Sequence, residues 1–499
     1  MAYQIKSISE NIKELKTEKM SVPALFFMSQ DLLPEDETFA QVEDIAANKD
    51  TFFEHTVAMP DVCSKPGRKN AAGTTIASEK YILPQVNDSD PNCGMRLVKT
   101  SLNEENITPE EIHKLFQELV EVVPTKKFVG TTVPFNVVVD ICRQGTKAII
   151  QHLGIQTKNE LENTQSGGSF FEKEMTRQDI FDVIPKLYLN FAKYRLGIIG
   201  AAGNHFLDLM KVGEIADQAA AEKMGIKKGQ YLFMIHTGSG ILGQYTMYTH
   251  TAKKAEHLSQ AIMVALGRLT FSSKKKAVYK KMQAKIKLHM TKDDSLLKYD
   301  ANGEDGEMYM NARAAASNFG TANRAVITHN ISNVIKKLLG RDPQMDLIYD
   351  LPHISITKEQ HLGKDVMVHR SNTSRAYGPA KMQHHPTYKE TGEPAFIPSS
   401  MSTDAYICVG TDRNDQSFYS APHGTGKGKN SDEKSIVNKE ELFAKMEAKG
   451  IRLYNAQSSI VINQDSARYK NIDQVIKGVE ANGVAHVVAK MQPVAVLMY

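Results

Sequence analysis

Helical spacing of apolar residues is clearest over residues 104–121, where the sequence reads EENITPEEIHKLFQELVE. Thr108, followed three residues later by Glu111, predicts a capping box at the start of this helix. The same periodicity predicts further helices at residues 252–269, 307–339 and 439–449. Gly450 is expected to end the last of these helices, because glycine readily adopts the left-handed conformation of a helix end.

Short apolar runs predict strands, which we place at residues 135–139, 231–236, 347–349, 365–369, 406–409 and 459–462. Two polar, glycine-bearing stretches, residues 157–168 and 424–434, predict loops. Helices and strands alternate irregularly, without an internal repeat or a proline-rich linker. This order predicts mixed sheets in an α+β fold rather than a doubly wound one.

Composition is that of an ordinary globular enzyme, with 41% hydrophobic and 24% charged residues among 499. The N-terminus has no apolar core of the kind that a signal peptide needs, and no apolar run is long enough for a membrane span. Four cysteines are too few to form a disulfide framework in so long a chain. We therefore expect a cytoplasmic protein with no membrane partner.

Charge gives a weaker indication, because 61 basic residues nearly balance 57 acidic ones. The densest basic stretch is residues 272–287, SSKKKAVYKKMQAKIK. Lysine runs of this kind usually form the solvated face of a helix, and an RNA contact is the alternative.

Five residues of metal-binding type are scattered along the chain: Asp90, Cys93, His205, His236 and His353. None lies in a local metal motif, and a single histidine near an apolar strand is more often structural. Together, however, a thiolate, a carboxylate and three imidazoles could hold two borderline divalent ions with the thiolate bridging them. Their spacing alone does not assemble this set.

His423 precedes a glycine-rich, basic loop in SAPHGTGKGK. Glycines let backbone N–H groups approach a phosphate closely, and Lys427 and Lys429 would add positive charge. The residues leave two interpretations open. One is a flexible surface loop, and the other is a histidine that attacks a nucleotide phosphate as a neutral imidazole.

Ten sequence blocks follow one another along the chain: MPDV (59–62), DPNCGMRL (90–97), GNHFLD (203–208), HTGSGILG (236–243), MYMNARAAASNFGTANR (308–324), LIYDLPHISI (347–356), VHRSNTSRAYGP (368–379), IPSSMSTDAY (397–406), APHGTG (421–426) and SARYKNIDQV (466–475). In sequence and in order, this series resembles the RtcB family of RNA ligases. The resemblance runs from about residue 59 to the C-terminus. It implies one catalytic domain over residues 1–499, with residues 1–58 as its N-terminal part, and a mixed-sheet fold around a central metal and nucleotide cleft.

The resemblance also implies a cofactor set of two manganese ions and GTP. By analogy with the family, Cys93 would bridge the two ions, Asp90 and His205 would complete one, and His236 and His353 the other.

His423 would attack the α-phosphate of GTP, and the resulting GMP adduct would activate an RNA 3′-phosphate for attack by a 5′-hydroxyl. The family also opens 2′,3′-cyclic phosphate ends, acts in RNA repair or tRNA splicing, and uses an archease-type activator. Asn204 would hold the phosphate and Tyr469 would stack on the base. The other implied nucleotide contacts are Asp208, Pro398, Ser400, Met401, Ala405, Gly424, Thr425, Gly426 and Met498. Residues that would line an RNA groove are Arg96, Arg324, Arg370, Arg375 and Lys427, with ordinary surface residues as the alternative.

Several positions depart from the family pattern. Met498, Asp208 and Ala405 replace a lysine, a longer acid and a serine that read guanine, so base discrimination is expected to weaken. Other departures are Cys63 for a histidine, Gly240 and Lys427 for arginines, and Ser399 and Ser402 for glycines.

These changes indicate a divergent paralogue. Besides RNA ligation they leave open a metal-dependent phosphate-end hydrolase or a nucleotidyltransferase with altered nucleotide choice. A non-catalytic RNA-end-binding protein is a third reading, and the intact set of ligands and nucleophile argues against it.

Overall fold

The computed structural model describes residues 3–87, 89–125, 127–200, 204–292, 295–429, 431, 438–456 and 459–499. Its strands are β1 (Ile5–Ser7), β2 (Lys13–Leu15), β3 (Ala24–Phe26), β4 (Thr56–Cys63), β5 (Ala72–Ser78), β6 (Tyr81–Ile82), β7 (Gly94–Asn103), β8 (Phe206–Ile215), β9 (Gln230–Thr237), β10 (Tyr299–Asp300), β11 (Asp346–Pro352), β12 (Ile354–His361), β13 (Lys364–Ser371), β14 (Thr373–Arg375), β15 (Pro394–Ile397), β16 (Ala405–Gly410), β17 (Ser420–Pro422), β18 (Arg452–Tyr454) and β19 (Ala485–Met498).

Its α-helices are α1 (Asp36–Ala46), α2 (Pro109–Val122), α3 (Phe135–Gln144), α4 (Thr146–Leu153), α5 (Arg177–Phe181), α6 (Lys186–Ala192), α7 (Gln218–Met224), α8 (Gly240–His250), α9 (Leu258–Thr270), α10 (Lys276–Lys292), α11 (Glu304–Leu339), α12 (Lys439–Ala448) and α13 (Ile472–Ala481). None of the helices described is long and apolar enough to cross a lipid bilayer.

Two large sheets organise the chain. One has the strand order β1-β2-β3-β4-β5-β13-β12, and the other has the order β11-β7-β9-β8-β19-β16-β15, with β18 added beside β19. Strands β3 and β4 run parallel, as do β18 and β19, while the remaining neighbours in both sheets are antiparallel. The mixed sheets confirm the predicted α+β fold.

Helix α11 is the longest element and packs against α3, α4 and α8. Its buried residues include several alanines, two glycines and Ser317, and small side chains of this kind let neighbouring backbones approach closely. Acidic Glu304, Asp305 and Glu307 lie in its first turn, where they favour the positive end of the helix dipole. Gly340, with φ of 64°, ends the helix in the left-handed conformation.

Elements with clear periodicity agree with the sequence. The predicted capping box of α2 is present, with the Glu111 N–H donating to Thr108 Oγ1. The helices predicted at residues 252–269, 307–339 and 439–449 correspond to α9, α11 and α12. Strands predicted at 231–236, 347–349, 365–369 and 406–409 lie within β9, β11, β13 and β16. The basic stretch is mostly helix α10, which buries Tyr279, Met282 and Ile286 while its lysines are exposed or half-buried.

Two predicted strands are wrong. Residues 135–139 open helix α3, because Pro134 and Gly145 bound a segment whose Val138, Val139, Ile141 and Cys142 bury one helical face. Residues 459–462 lie in a 3-10 helix, Ser459–Gln464. Of the two predicted loops, the first contains a 3-10 turn at Gln165–Gly168. The second, residues 424–434, lies partly outside the described residues.

Candidate active site

A cavity of about 1050 Å³ is lined by side chains from both large sheets and from helices α8 and α9. Each residue that the sequence predicts to bind metal or nucleotide lines this cavity. The residues come from distant parts of the chain, so the fold brings together what the sequence spacing could not. Their individual roles stay predictions.

Three of the candidate ligands form a compact group. The ligand atoms of Cys93, His236 and His353 all lie within 4.8 Å of one another, and all three residues are buried. His236 Nε2 is 3.3 Å from Cys93 Sγ and 2.9 Å from His353 Nε2. The backbone N–H of His353 donates to the Cys93 carbonyl at 2.9 Å, which fixes the β11–β12 connection beside the start of β7.

His205 approaches the group from β8. Its Nε2 lies 3.3 Å from Cys93 Sγ, while its Nδ1 lies 2.9 Å from the Ile199 carbonyl oxygen. A carbonyl only accepts, so Nδ1 carries the proton and the Nε2 lone pair faces the thiol. Thr237 Oγ1 donates to the same carbonyl at 2.6 Å.

The electrostatics of this group suit a borderline divalent cation. Burial lowers the pKa of His205 to about 4 and lowers the pKa values of His236 and His353 well below their ordinary value. The three rings are therefore neutral at pH 7, and neutral imidazole is the form that binds a metal. Burial raises the pKa of the Cys93 thiol, and a cation would reverse that shift by binding the thiolate. His353 Nδ1 is buried without a hydrogen-bond partner in the described part of the chain.

Asp90 lies next to this group but outside the cluster of three. Its carboxylate accepts the Ser239 hydroxyl and, at 3.2 Å, the Gly240 N–H. Burial raises the pKa of Asp90 to about 6. A Cβ at Gly238 or Gly243 would collide with the carboxylate, so these two glycines leave the space that Asp90 occupies.

His423 stands on the other side of His353. The two rings are stacked, with centroids 4.2 Å apart and an interplanar angle of 23°. His423 Nδ1 lies 3.0 Å from Asp61 Oδ2 and 2.9 Å from the Asn372 carbonyl oxygen. Two acceptors at Nδ1 place a proton there, so in the neutral tautomer the lone pair lies on Nε2.

Asp61 is a residue that sequence reasoning missed as a functional group. It lies in the MPDV block. The signal that could have identified it as a functional residue is a carboxylate within a strand whose residues are almost all buried. Its side chain is 1% exposed, and within the described structure its Oδ1 has no hydrogen-bond partner. A buried carboxylate that contacts Nδ1 of a cavity-lining histidine is a candidate functional group of this site.

The glycine loop after His423 is held by two other segments. Gly426 has φ of +67°, and a Cβ there would collide with the Asp61 backbone. Lys427 pairs with Tyr469 as an isolated antiparallel bridge, and the Lys470 N–H donates to the Gly426 carbonyl at 3.1 Å. The Lys470 ammonium also donates to the Pro60 carbonyl at 2.5 Å, and burial lowers its pKa to about 8.

A methionine-lined wall, formed by Phe206, Asp208, Met401, Ala405 and Met498, closes another part of the cavity. Strand pairing places Asp208 opposite Val496 and Met498 opposite Phe206. Asp208 Oδ1 is buried and, among the residues described, has no hydrogen-bond partner. Burial raises the pKa of Asp208 well above its ordinary value.

The candidate RNA residues are placed differently from the metal and nucleotide sets. Arg96 and Arg324 are fully buried and share Asp350, and Arg370 is buried against Glu359. Arg375 forms an ion pair with Glu393. These four arginines are committed to structural ion pairs and do not line the cavity, whereas Lys427 does line it.

Comparisons with a family model and with individual known sequences point to the same family. The family model described as "tRNA-splicing ligase RtcB" matches residues 41–498, starting before the first block noted in the sequence. A tRNA-splicing ligase RtcB from Methanococcus maripaludis is 28% identical, with 96% of this chain and 95% of that protein aligned. The protein of the same name from Aeropyrum pernix is 27% identical over 96% of this chain and 95% of its own length. The one from Nanoarchaeum equitans is 27% identical over the whole of both chains.

Proposed function

The chain belongs to the tRNA-splicing ligase RtcB family, and on that premise we propose that it is a GTP- and manganese-dependent RNA ligase. It would join RNA ends bearing a 3′-phosphate or a 2′,3′-cyclic phosphate to 5′-hydroxyl ends through a histidine–GMP intermediate. The observation that carries this proposal is the position of His423. Its Nδ1 is held by Asp61 and Asn372, and its ring stacks on a histidine of the candidate metal group.

The first step forms the adduct. His423 Nε2 attacks the α-phosphorus of GTP, a P–N bond forms, and the bond to the bridging oxygen breaks to release pyrophosphate. Asp61 and the Asn372 carbonyl keep the proton on Nδ1 and stabilise the positive charge that develops on the ring. Manganese held by Asp90, Cys93, His205, His236 and His353 would neutralise charge on the phosphoryl oxygens.

Two further displacements complete ligation. An oxygen of the RNA 3′-phosphate attacks the phosphorus of the histidine–GMP adduct. The P–N bond breaks, and the His423 side chain leaves as a neutral imidazole. The 5′-hydroxyl of the second RNA end then attacks the 3′-phosphorus and loses its proton to solvent. The new phosphodiester bond forms as the bond from the 3′-phosphorus to the bridging oxygen breaks, and GMP leaves with that oxygen. A cyclic phosphate end would first be hydrolysed to a 3′-phosphate. Asn204, Gly424, Thr425 and Gly426 line the cavity where they could bind the transferred phosphate.

The base would lie between Tyr469 and the methionine-lined wall. Tyr469 offers an aromatic face, and its hydroxyl donates to Gln464. The nucleotide proposal also includes Pro398 and Ser400, which line the same cavity. Because Met498 and Ala405 offer no polar group to a base edge, we propose that GTP is accepted with weak preference over other nucleotides.

A different set of basic residues replaces the buried arginines in the RNA proposal. Lys65, Arg68, Arg195, Lys253 and Lys427 line the catalytic cavity and could bind RNA phosphates. An archease-type activator and a cytoplasmic location complete the proposal, on the strength of the family resemblance and the cysteine usage.

A second candidate function is favoured by the Asp208 carboxyl. A base site that has lost its edge readers could serve a nucleotidyltransferase of altered nucleotide choice, or an enzyme that only hydrolyses phosphate ends. Such an enzyme would keep the metal group and His423 but would not seal RNA.

The deciding experiment is incubation with each α-labelled nucleoside triphosphate and manganese, followed by RNA with a 3′-phosphate and a 5′-hydroxyl. The ligase proposal expects acid-labile label on the wild-type protein, none on His423→Ala, and sealed RNA from the wild type only. His113→Ala is a matched control. This half-buried histidine is hydrogen-bonded to the Tyr454 hydroxyl at 2.9 Å, and it does not line the cavity. Label that persists in His423→Ala and maps to a lysine would contradict the proposal. Label without sealing would favour the second candidate.

A further inference from the structure

A second cavity, of about 680 Å³, lies beside the catalytic one. Ile354, the residue after His353, lines both cavities. Helix α11 forms part of the wall of each, with Arg313 and Ser317 in the second cavity and Phe319 and Asn323 in the catalytic one. Nothing in the proposed chemistry uses the second cavity.

Arg313 is the unusual group in this cavity. It is only 4% exposed, yet no carboxylate of the described residues lies within ion-pair distance of its guanidinium. Its Nη1 is 3.2 Å from the Tyr309 hydroxyl and 3.4 Å from the Asn87 carbonyl, and its remaining N–H groups have no hydrogen bond among these residues. A buried guanidinium without an anion is energetically costly, so a site of this kind is suited to an anionic ligand.

The acidic groups around the cavity do not neutralise Arg313. Glu79 pairs with Lys364, Glu307 with Lys173, and Asp365 with Lys358. Glu359 is likewise held by Arg370. Glu172 also lines the cavity but is exposed to solvent.

The rest of the lining suits a nucleotide. Phe170 and Phe171 are partly exposed, and phenyl rings provide stacking surfaces for bases of any identity. Hydroxyl groups of Ser166, Ser169 and Thr357 line the same space and could bind a phosphate or ribose. Aromatic rings next to a positively charged side chain are the combination used by single-strand binding sites.

We propose that this cavity binds a nucleotide phosphate at Arg313, with the attached base against Phe170 and Phe171. The nucleotide would come from an RNA strand whose end lies in the adjoining catalytic cavity, or from a free mononucleotide. The RNA source rests on the proposed function, whereas the phosphate site itself does not.

The test compares wild-type protein with Arg313→Met, a substitution that removes the charge but keeps an unbranched side chain of similar length. Binding of a single-stranded oligoribonucleotide and of AMP is measured by calorimetry without manganese or GTP. Loss of a charged hydrogen-bonding partner is expected to weaken binding by about ten- to a hundred-fold. If both probes weaken, the site accepts free nucleotides. If only oligoribonucleotide binding weakens, the site binds a phosphate that is part of an RNA strand. Equal binding of both probes by the two proteins would overturn the proposal.

Folding and activity controls separate this proposal from the main one. Arg313→Met is expected to melt no lower than the wild type, because it removes a buried charge that has no carboxylate partner in the part of the chain that the structure describes. Lower thermal stability with unchanged binding would show a structural arginine instead.

Should Arg313→Met fail to fold, Phe170→Ala is expected to weaken oligoribonucleotide binding several-fold, and unchanged binding in that variant would also overturn the proposal. His423 labelling by GTP should survive in both variants. Absence of labelling in the wild type, with Arg313-dependent binding intact, would refute only the ligase proposal.

Discussion

Asp61 Oδ2 lies 3.0 Å from His423 Nδ1 although the two residues are 362 positions apart in sequence. The carboxylate is buried, whereas the histidine side chain is 17% exposed and lines the candidate active-site cavity. Asp61 therefore accepts a hydrogen bond from Nδ1 on the buried side of the ring, while the ring itself lines the cavity. This arrangement fixes the orientation of the His423 ring, as the proposed attack on a phosphate would require.

We expect Asp61→Ala to slow formation of the nucleotide adduct by about 10²- to 10⁴-fold, because charge that develops on the ring loses its partner. The Asn372 carbonyl still accepts from Nδ1, so some activity should remain. Single-turnover labelling with α-labelled GTP measures the effect. Asp217→Ala is the matched control, since Asp217 pairs with the exposed His486 at 3.1 Å. Equal labelling rates for Asp61→Ala and the control would remove Asp61 from the mechanism.

Cys93→Ala should abolish tight manganese binding. Cys93 Sγ is 3.3 Å from both His205 Nε2 and His236 Nε2, so its thiolate could bind an ion held by either imidazole. Metal analysis after dialysis is expected to give two ions in the wild type and none in the variant. Cys142→Ala is the control, because that thiol is also fully buried but lies in the core cluster around α3. Full metal occupancy in Cys93→Ala would refute the assignment.

Lys470 predicts a specific pH dependence of stability. Burial lowers its pKa from 10.5 to about 8, so the unfolded chain binds this proton more tightly than the folded one. Stability should therefore rise as pH increases from about 8 to 10.5, by at most about 3 kcal/mol from this group. Below pH 8 the full cost of the buried ammonium is present.

Urea unfolding of the wild type and of Lys470→Met across this range tests the prediction, since other titrations cancel in the difference. The variant should lose the rise, although it also loses the hydrogen bond to Pro60. Lys445→Met, which removes the ion pair of a partly exposed lysine with Asp465, should keep it. Identical pH profiles for the wild type and Lys470→Met would contradict the prediction.

How much of the fold the sequence predicted depends on where each signal lies. Helix α2 was predicted because its capping box and apolar spacing are local. Residues 135–139 were assigned to a strand because three consecutive valines favour extended structure. In the fold, burial of Val138 and Val139 on one side of α3 outweighs that preference.

The site shows the same limit at longer range. Register between β7, β8 and β9 places Met95 and Phe206 on either side of His236, which brings Cys93 and His205 to the same imidazole. Strand register is not visible in the spacing of residues along the chain. The resemblance to a known family supplied the set that spacing could not.

Buried arginines mark a further limit. Arginine is usually exposed, so Arg96, Arg324 and Arg370 were expected at a surface that could bind RNA. In the fold they pair with Asp350 and Glu359, two carboxylates buried beside them. No sequence pattern distinguishes such pairs from surface charges.

The last prediction concerns base selection. Asp208 and Met498 lie on paired strands, with Asp208 opposite Val496 and Met498 opposite Phe206. The Asp208 carboxyl, whose Oδ1 has no hydrogen-bond partner among the described residues, and the Met498 thioether offer a guanine edge little that an adenine edge lacks. Stacking on Tyr469 would accept either base. Each missing edge contact removes about 1–3 kcal/mol of discrimination. We therefore expect GTP to label the protein, with ATP competing more strongly than a site with intact edge contacts would allow.

Met498→Lys should restore preference for GTP, because its ammonium would pair with the Asp208 carboxylate and offer a donor to the guanine carbonyl. The measurement is competition of the four unlabelled triphosphates against α-labelled GTP, with Met446→Lys as a control in the same hydrophobic cluster but outside the cavity lining. Strict GTP selectivity in the unmodified protein, with no gain from Met498→Lys, would mean that other residues read the base.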